Sequence, residues 1–128
     1  MRTYAGRSHL VMDVAGWFGP GAGGLAYVAT TPVRLLDTRD LGSATAATRQ
    51  VTSPNVSVLY IAAVDASGLG FVTVRPCGAE QVSSLVNTSP GEDSANVTAV
   101  GPDPTAHVCL NSSVVSHLVV DQVAVFIP

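Results

Sequence analysis

Lysine is absent from this chain: all six basic residues are arginines, set against nine aspartates and glutamates. Charged residues make up 12% of the sequence, about half the usual share. The net charge of −3 gives no basic field, so no nucleic-acid partner is expected. Glutamate, lysine and leucine are too sparse for a coiled coil. No apolar run approaches the roughly twenty residues a helical membrane span needs, so no membrane insertion is expected. Disorder is excluded from the other side, because it requires low hydrophobicity together with high net charge. Aromatics are only 5%, namely Tyr4, Trp17, Phe18, Tyr27, Tyr60, Phe71 and Phe126. No segment keeps an amphipathic helical period over three turns.

What remains is rich in valine and hydroxyl side chains. The 128 residues include twenty-one valines, twelve serines and eleven threonines, and 47% of the chain is hydrophobic. That length fits one domain with a sizeable core. Strand signals dominate it. They run over Ser8–Phe18, Ala26–Leu36 with Pro32 marking an edge or bend, Val56–Asp65, Gly70–Arg75, Val82–Asn87, Ala95–Val100, His107–Asn111 and Val114–Ile127. Ser67-Gly68 reads as the turn of a hairpin joining the third and fourth of these. Asp40–Gln50, polar and Ala/Thr-rich, reads as a loop or one helical turn. The expectation is an all-β domain, a β-sandwich or barrel-like fold of about eight or nine strands with an extra N-terminal strand. Residues 1–19 form an N-terminal arm, 20–25 a Gly-rich linker, and 26–128 a single β domain.

Two cysteines, few charges and many Ser and Thr fit an exported protein, in which Cys77 and Cys109 would pair as a disulfide. The alternative is two unpaired, half-buried thiols acting as small hydrophobes. No signal peptide precedes the first strand-like segment, and the reading favoured is a fragment of a larger exported protein. Four Asn-x-Ser/Thr triplets begin at Asn55, Asn87, Asn96 and Asn111, and matter only in a glycosylating host.

One internal repeat carries the most information. Ser8-His9-Leu10-Val11-Met12-Asp13 returns 108 residues later as Ser116-His117-Leu118-Val119-Val120-Asp121, and Phe18 matches Phe126. Six of the eleven positions from Ser8 to Phe18 are identical. An offset of domain size points to a tandem array, with residues 8–18 resembling the closing strand of a preceding unit.

Further motifs lie between the repeats. They are Val33-Arg34-Leu35-Leu36-Asp37-Thr38-Arg39, then Gly70-Phe71-Val72-Thr73-Val74-Arg75-Pro76-Cys77-Gly78, Ser94-Ala95-Asn96-Val97 and Val108-Cys109-Leu110. With the two end motifs, the chain over about residues 27–127 resembles the "RLLDTR … HLVVDVAGYF" repeat domain of exported and cell-surface proteins of actinobacteria and their relatives. That resemblance implies an exported accessory domain, and it brings no catalytic residue or ligand. The family's ending is kept at Val14-Ala15-Gly16-Trp17-Phe18, whereas the last copy departs from it as Gln122-Val123-Ala124-Val125-Phe126.

On a strand, alternate residues share a face. His9, Val11 and Asp13 then lie together, as do His117, Val119 and Asp121. Asp37 and Arg39 share a face, with Arg34, Leu36 and Thr38 opposite. A carboxylate in an apolar strand needs a partner, and without lysine that partner is Arg34 or Arg39. The expectation is a structural polar network of Arg34, Asp37, Arg39, His117 and Asp121, with His9 and Asp13 as its repeat copies, fixing strand register. A Ser-His-Asp catalytic set lacks support: there is no Gly-x-Ser-x-Gly elbow, and Ser116 and His117 face opposite sides of a strand. No calcium-loop spacing, zinc spacing or phosphate loop is present, and no cofactor is expected.

The sequence therefore reads as a non-catalytic extracellular or cell-surface structural or adhesion module. It would pair strands with other copies of itself or neighbouring repeats through His9, Leu10, Val11, Met12, Asp13, Val14, Trp17 and Phe18. The alternative is a carbohydrate- or cell-wall-binding module, with Trp17 beside Tyr4 or Tyr27 as the stacking platform for a cell-wall glycan.

Overall fold

A computed structural model describes residues 12, 14, 16–20, 23–42, 44–81 and 83–128. These fold as eight strands with no helix among them: β1 (Ala26–Asp37), β2 (Thr48–Thr52), β3 (Val56–Val64), β4 (Gly70–Pro76), β5 (Val86–Thr88), β6 (Ser94–Val100), β7 (His107–Ser112) and β8 (His117–Ile127). They form two four-stranded antiparallel sheets, ordered β1-β8-β3-β6 and β2-β7-β4-β5. The architecture is a β-sandwich and not a closed barrel.

Alternation in the sequence sets which side chains enter the core. On β3, Ser57, Leu59, Ile61 and Ala63 point inward and are buried. Across the ladder Leu59 stands beside Gln122, Ile61 beside Val120 and Ala63 beside Leu118. The facing sheet answers with Val108 and Leu110 of β7, Val72 of β4, Val86 of β5 and Val51 of β2. Each such aliphatic side chain contributes about 1.5–3 kcal/mol when fully buried, and the branched shapes suit a pleated surface.

Two buried serine pairs finish the interior where strands turn. Ser53 and Ser57 hydroxyls meet at 2.8 Å, and both donate to the Asn55 carbonyl. The Gln122 amide donates to the Ser57 hydroxyl at 2.6 Å. Ser112 and Ser116 meet at 3.0 Å, and Ser112 also donates to the Val114 carbonyl. All four serines are wholly buried, so these bonds remove a desolvation cost of about 1–3 kcal/mol per hydroxyl.

Three expectations need correction. The turn after β3 does not close a hairpin: β3 and β4 lie in different sheets, and β4 pairs with β5 and β7. The turn therefore carries the chain across the sandwich, because the apolar faces of both strands are satisfied only by packing face to face. Asp40–Gln50 is neither wholly loop nor helical, since β2 begins at Thr48 and Thr45 makes an isolated bridge to Ser116. Third, the N-terminal strand is not formed by its described residues. Met12, Val14 and residues 16–18 carry no strand pairing, and Met12, Val14, Trp17 and Phe18 are more than four-fifths exposed. His9, Leu10, Val11 and Asp13 lie outside the described residues. A strand exists only against a ladder partner, and the place that a strand of this pattern would take in this domain is already filled by β8.

Candidate assembly surface

The charged motif residues converge on the outer face of the β1-β8-β3-β6 sheet. Register places Arg34 opposite Asp121 on β8, with Tyr60 of β3 on Asp121's other side. The Arg34 guanidinium grips both oxygens of Asp121, through Nε to Oδ1 and through Nη2 to Oδ2 at 3.2 Å. Its Nη1 donates to Asp37 at 2.5 Å. Asp37 also accepts from the Arg39 backbone N–H at 3.1 Å and from two guanidinium nitrogens of Arg39, at 2.9 and 2.6 Å. Two arginines thus clamp two carboxylates in a chain of bidentate contacts, the arrangement that a planar fork favours.

Arg34 does not sit opposite Asp37 as simple alternation requires. An irregularity between Arg34 and Leu36 leaves Leu35 without a partner on β8, and that extra residue brings Arg34 onto the face of Asp37 and Asp121. The network is also less internal than expected. The Asp37 side chain is 6% exposed, but those of Arg34 and Arg39 are 47% and 50% exposed. The hydrogen bonds from Arg39, above all those of its side chain, hold the Asp37 carboxyl well below the usual carboxylate range. The carboxylates, led by Asp121 for Arg34 and by Asp37 for Arg39, raise both guanidinium values.

His117 stands apart from this cluster. Its Nδ1 lies 3.3 Å from the hydroxyl of the wholly buried Thr38, which itself accepts from the Leu118 backbone N–H at 2.8 Å. Thr38 was not singled out in the sequence; its place inside the Leu-Asp-Thr-Arg motif was the available signal. Ser116 is bonded to Ser112, His117 to Thr38 and Asp121 to Arg34, so the three do not line up as a nucleophile, base and orienter. Asp103 is a second residue that sequence reasoning missed. It accepts from the backbone N–H groups of Thr105 and His107, both at 2.8 Å, and from the Thr105 hydroxyl, which ties down the β6–β7 turn. Those bonds, led by the His107 N–H, lower its carboxyl from the ordinary value.

Cys77 and Cys109 form a disulfide that ties the end of β4 to β7, at a sequence separation of 32. Such a bridge fits an oxidising compartment. Among the described residues no helix is long and apolar enough to cross a membrane.

The rest of the same sheet face is apolar. Tyr27 packs edge-on against Phe126 with ring centroids 5.5 Å apart, and Phe18 of the arm approaches Phe126 at 6.2 Å. Gly16, Trp17 and Phe18 wall a groove of about 530 Å³ whose other side is Leu25, Val56, Ala99 and Phe126. Val14 reaches a second cleft of about 650 Å³, lined by Val74–Pro76 of β4 and Thr98–Val100 of β6. Among the arm's described residues, Gly16, Trp17 and Phe18 thus lie by Phe126 of β8, Val56 of β3 and Ala99 of β6, and Val14 lies by β4 and β6, across the sheet from the β1 edge.

The chain matches no protein-family model, and no curated protein or solved structure shows significant similarity to it.

Proposed function

We propose that this chain is a non-catalytic extracellular structural or adhesion module that assembles with other copies or neighbouring repeats through its N-terminal arm. One observation carries the reading. The arm repeats the sequence of β8, a central strand paired along both edges, yet the arm's own described residues are exposed and unpaired. Described residues left without a ladder carry unmet backbone bonding and exposed apolar side chains, which pairing with another chain satisfies. The likeness of its motifs to the actinobacterial surface repeats, and an extracellular location consistent with the disulfide, belong to the same proposal. Light scattering coupled to size exclusion, on the full chain and on a chain beginning at Pro20, tests it. Oligomers that vanish with the arm support it, and a strictly monomeric full chain overturns it.

A second reading rests on Trp17, whose side chain is 87% exposed beside the groove that Phe18 and Phe126 line. An indole in that position is a stacking platform for a sugar ring of a cell-wall glycan. Glycan-array binding that is lost in Trp17→Ala would favour this reading.

A further inference from the structure

The sandwich has four strand edges, and they are not equally open. β5 is three residues long and β2 five. β6 has the chain's own arm beside it at Ala99, and its Asn96 amide is already spent on the Leu85 carbonyl. β1 is twelve residues long, pairs among the described residues only with β8, and is largely exposed from Ala26 to Arg34. Exposed edges are usually blunted by charge, proline or a bulge. Here Pro32 and the irregularity between Ala29 and Val33 end the regular part, but nothing charged stands before Arg34. Ala26–Ala29 is left as a regular open template that includes the half-exposed Tyr27 and Val28.

We propose that this free edge of β1, over Ala26–Ala29, accepts the arm of a second copy, so that the β1-β8-β3-β6 sheet gains a fifth strand from a neighbouring chain. The inference rests on arm-mediated assembly and specifies where the arm lands. The slot of β8 itself is not available, because β8 is paired on both sides and tethered to β7 by the short turn at residues 113–116. The arm nevertheless shares Ser8, His9, Leu10, Val11, Asp13 and Phe18 with the segment that forms β8, the strand that β1 pairs with antiparallel, and of these Phe18 sets the register. Setting Phe18 against Tyr27, as Phe126 is set in the fold, places Trp17 opposite Val28 and Gly16 opposite Ala29. The aromatic pair then falls on the same outer face as Tyr27 and Phe126. Exchange between chains, in place of folding back, follows from the path of the arm across β3 and β6, on the far side of the sheet from the β1 edge.

The test uses the full chain, whose two native cysteines are bonded and leave no free thiol. A Gly16→Cys chain is mixed with a size-tagged Ala29→Cys chain and mildly oxidised. The expected product is a disulfide heterodimer, absent when Gly16→Cys is mixed with Val97→Cys on β6. Trp17→Pro, added to the arm, removes the product while leaving the melting temperature of the domain unchanged, since Trp17 is exposed and unpaired. Oligomers that bridge to Val97→Cys and not to Ala29→Cys overturn this acceptor while arm-mediated assembly stands. A bridge that forms only within a doubly substituted chain overturns the exchange. A strictly monomeric chain overturns both.

Discussion

Arg34 and Asp37 touch across one face of β1 although they lie an odd three positions apart, because the unpartnered Leu35 shifts the strand's alternation between them. The same shift aims Arg34 at Asp121 of β8, so one irregularity assembles the whole charged cluster.

Coupling between Arg34 and Asp121 is the first prediction. The guanidinium is half exposed, so solvent screens the pair and its worth is set by geometry more than by burial. A double-mutant cycle of Arg34→Ala and Asp121→Ala should give a coupling of about 0.5–1 kcal/mol by chemical denaturation. Additive losses would mean that the contact does not fix the β1–β8 register.

Acid should unfold the chain through Asp37 and Asp103. Both carboxyls are lowered in the fold, Asp37 chiefly by the Arg39 side chain and Asp103 chiefly by the His107 N–H. At neutral pH both are ionised in the folded and unfolded chain alike, so the stabilisation is fully present. Below the ordinary carboxylate range, near pH 4, the unfolded chain takes up protons that the folded chain resists, and stability falls with pH. The melting temperature should stay nearly level from about pH 7 to 5 and drop below about pH 4. In Asp37→Asn the drop should be shallower; an equally steep drop would assign it to other carboxylates.

The class of fold was legible because β3, β7 and β8 alternate apolar and polar residues or run apolar, and valine is the commonest residue of β3 and β8. β2 was missed because its sequence, Thr-Arg-Gln-Val-Thr, holds a single apolar side chain, Val51. Its strand state comes from pairing with β7. The supposed β3–β4 hairpin failed for a related reason: a short Ser-Gly turn cannot reveal whether the next strand stays in its sheet or crosses to the other. Among the charged motif residues, the composition argument pointed to arginine–aspartate pairs, but periodicity alone put Arg34 on the wrong face. A bulge is a property of the ladder, and Leu35 has no feature of its own that announces it.

Removing the bridge should be costly. Cys77→Ser with Cys109→Ser frees a segment of 32 residues in the unfolded chain. The chain-entropy relation gives a loss of about 3–4 kcal/mol, or about 10–15 °C in melting temperature for a domain of this size. Calorimetry of the double variant, with the oxidised and reduced wild-type chain beside it, checks the figure. A reduced chain that melts with the oxidised one would show that packing between β4 and β7 suffices.

Ala106 offers a gain. It holds a φ of 64°, in the left-handed region that costs an L side chain about 1 kcal/mol, while its carbonyl accepts from the Ser53 N–H at 2.8 Å. Ala106→Gly keeps that bond and relieves the strain, at the price of a more flexible unfolded chain. The net effect should be a stabilisation of up to about 1 kcal/mol, read as a higher denaturant midpoint with an unchanged slope.

Gly70 should behave in the opposite way, and for a steric reason alone. A Cβ built there would lie 2.6 Å from the Ser113 hydroxyl and 2.7 and 2.9 Å from the two methyls of Val114. Ser113 cannot simply rotate aside, because its hydroxyl accepts the Phe71 backbone N–H at 2.8 Å. Val114 is branched and sits in the β7–β8 turn, where Ser112 is bonded to its carbonyl. Gly70→Ala must therefore move the turn or break the Phe71 bond, and should cost about 1–3 kcal/mol. Pairing it with Val114→Ala separates the causes. Recovery of stability in the double variant assigns the clash to the Val114 methyls, and an undiminished loss assigns it to Ser113.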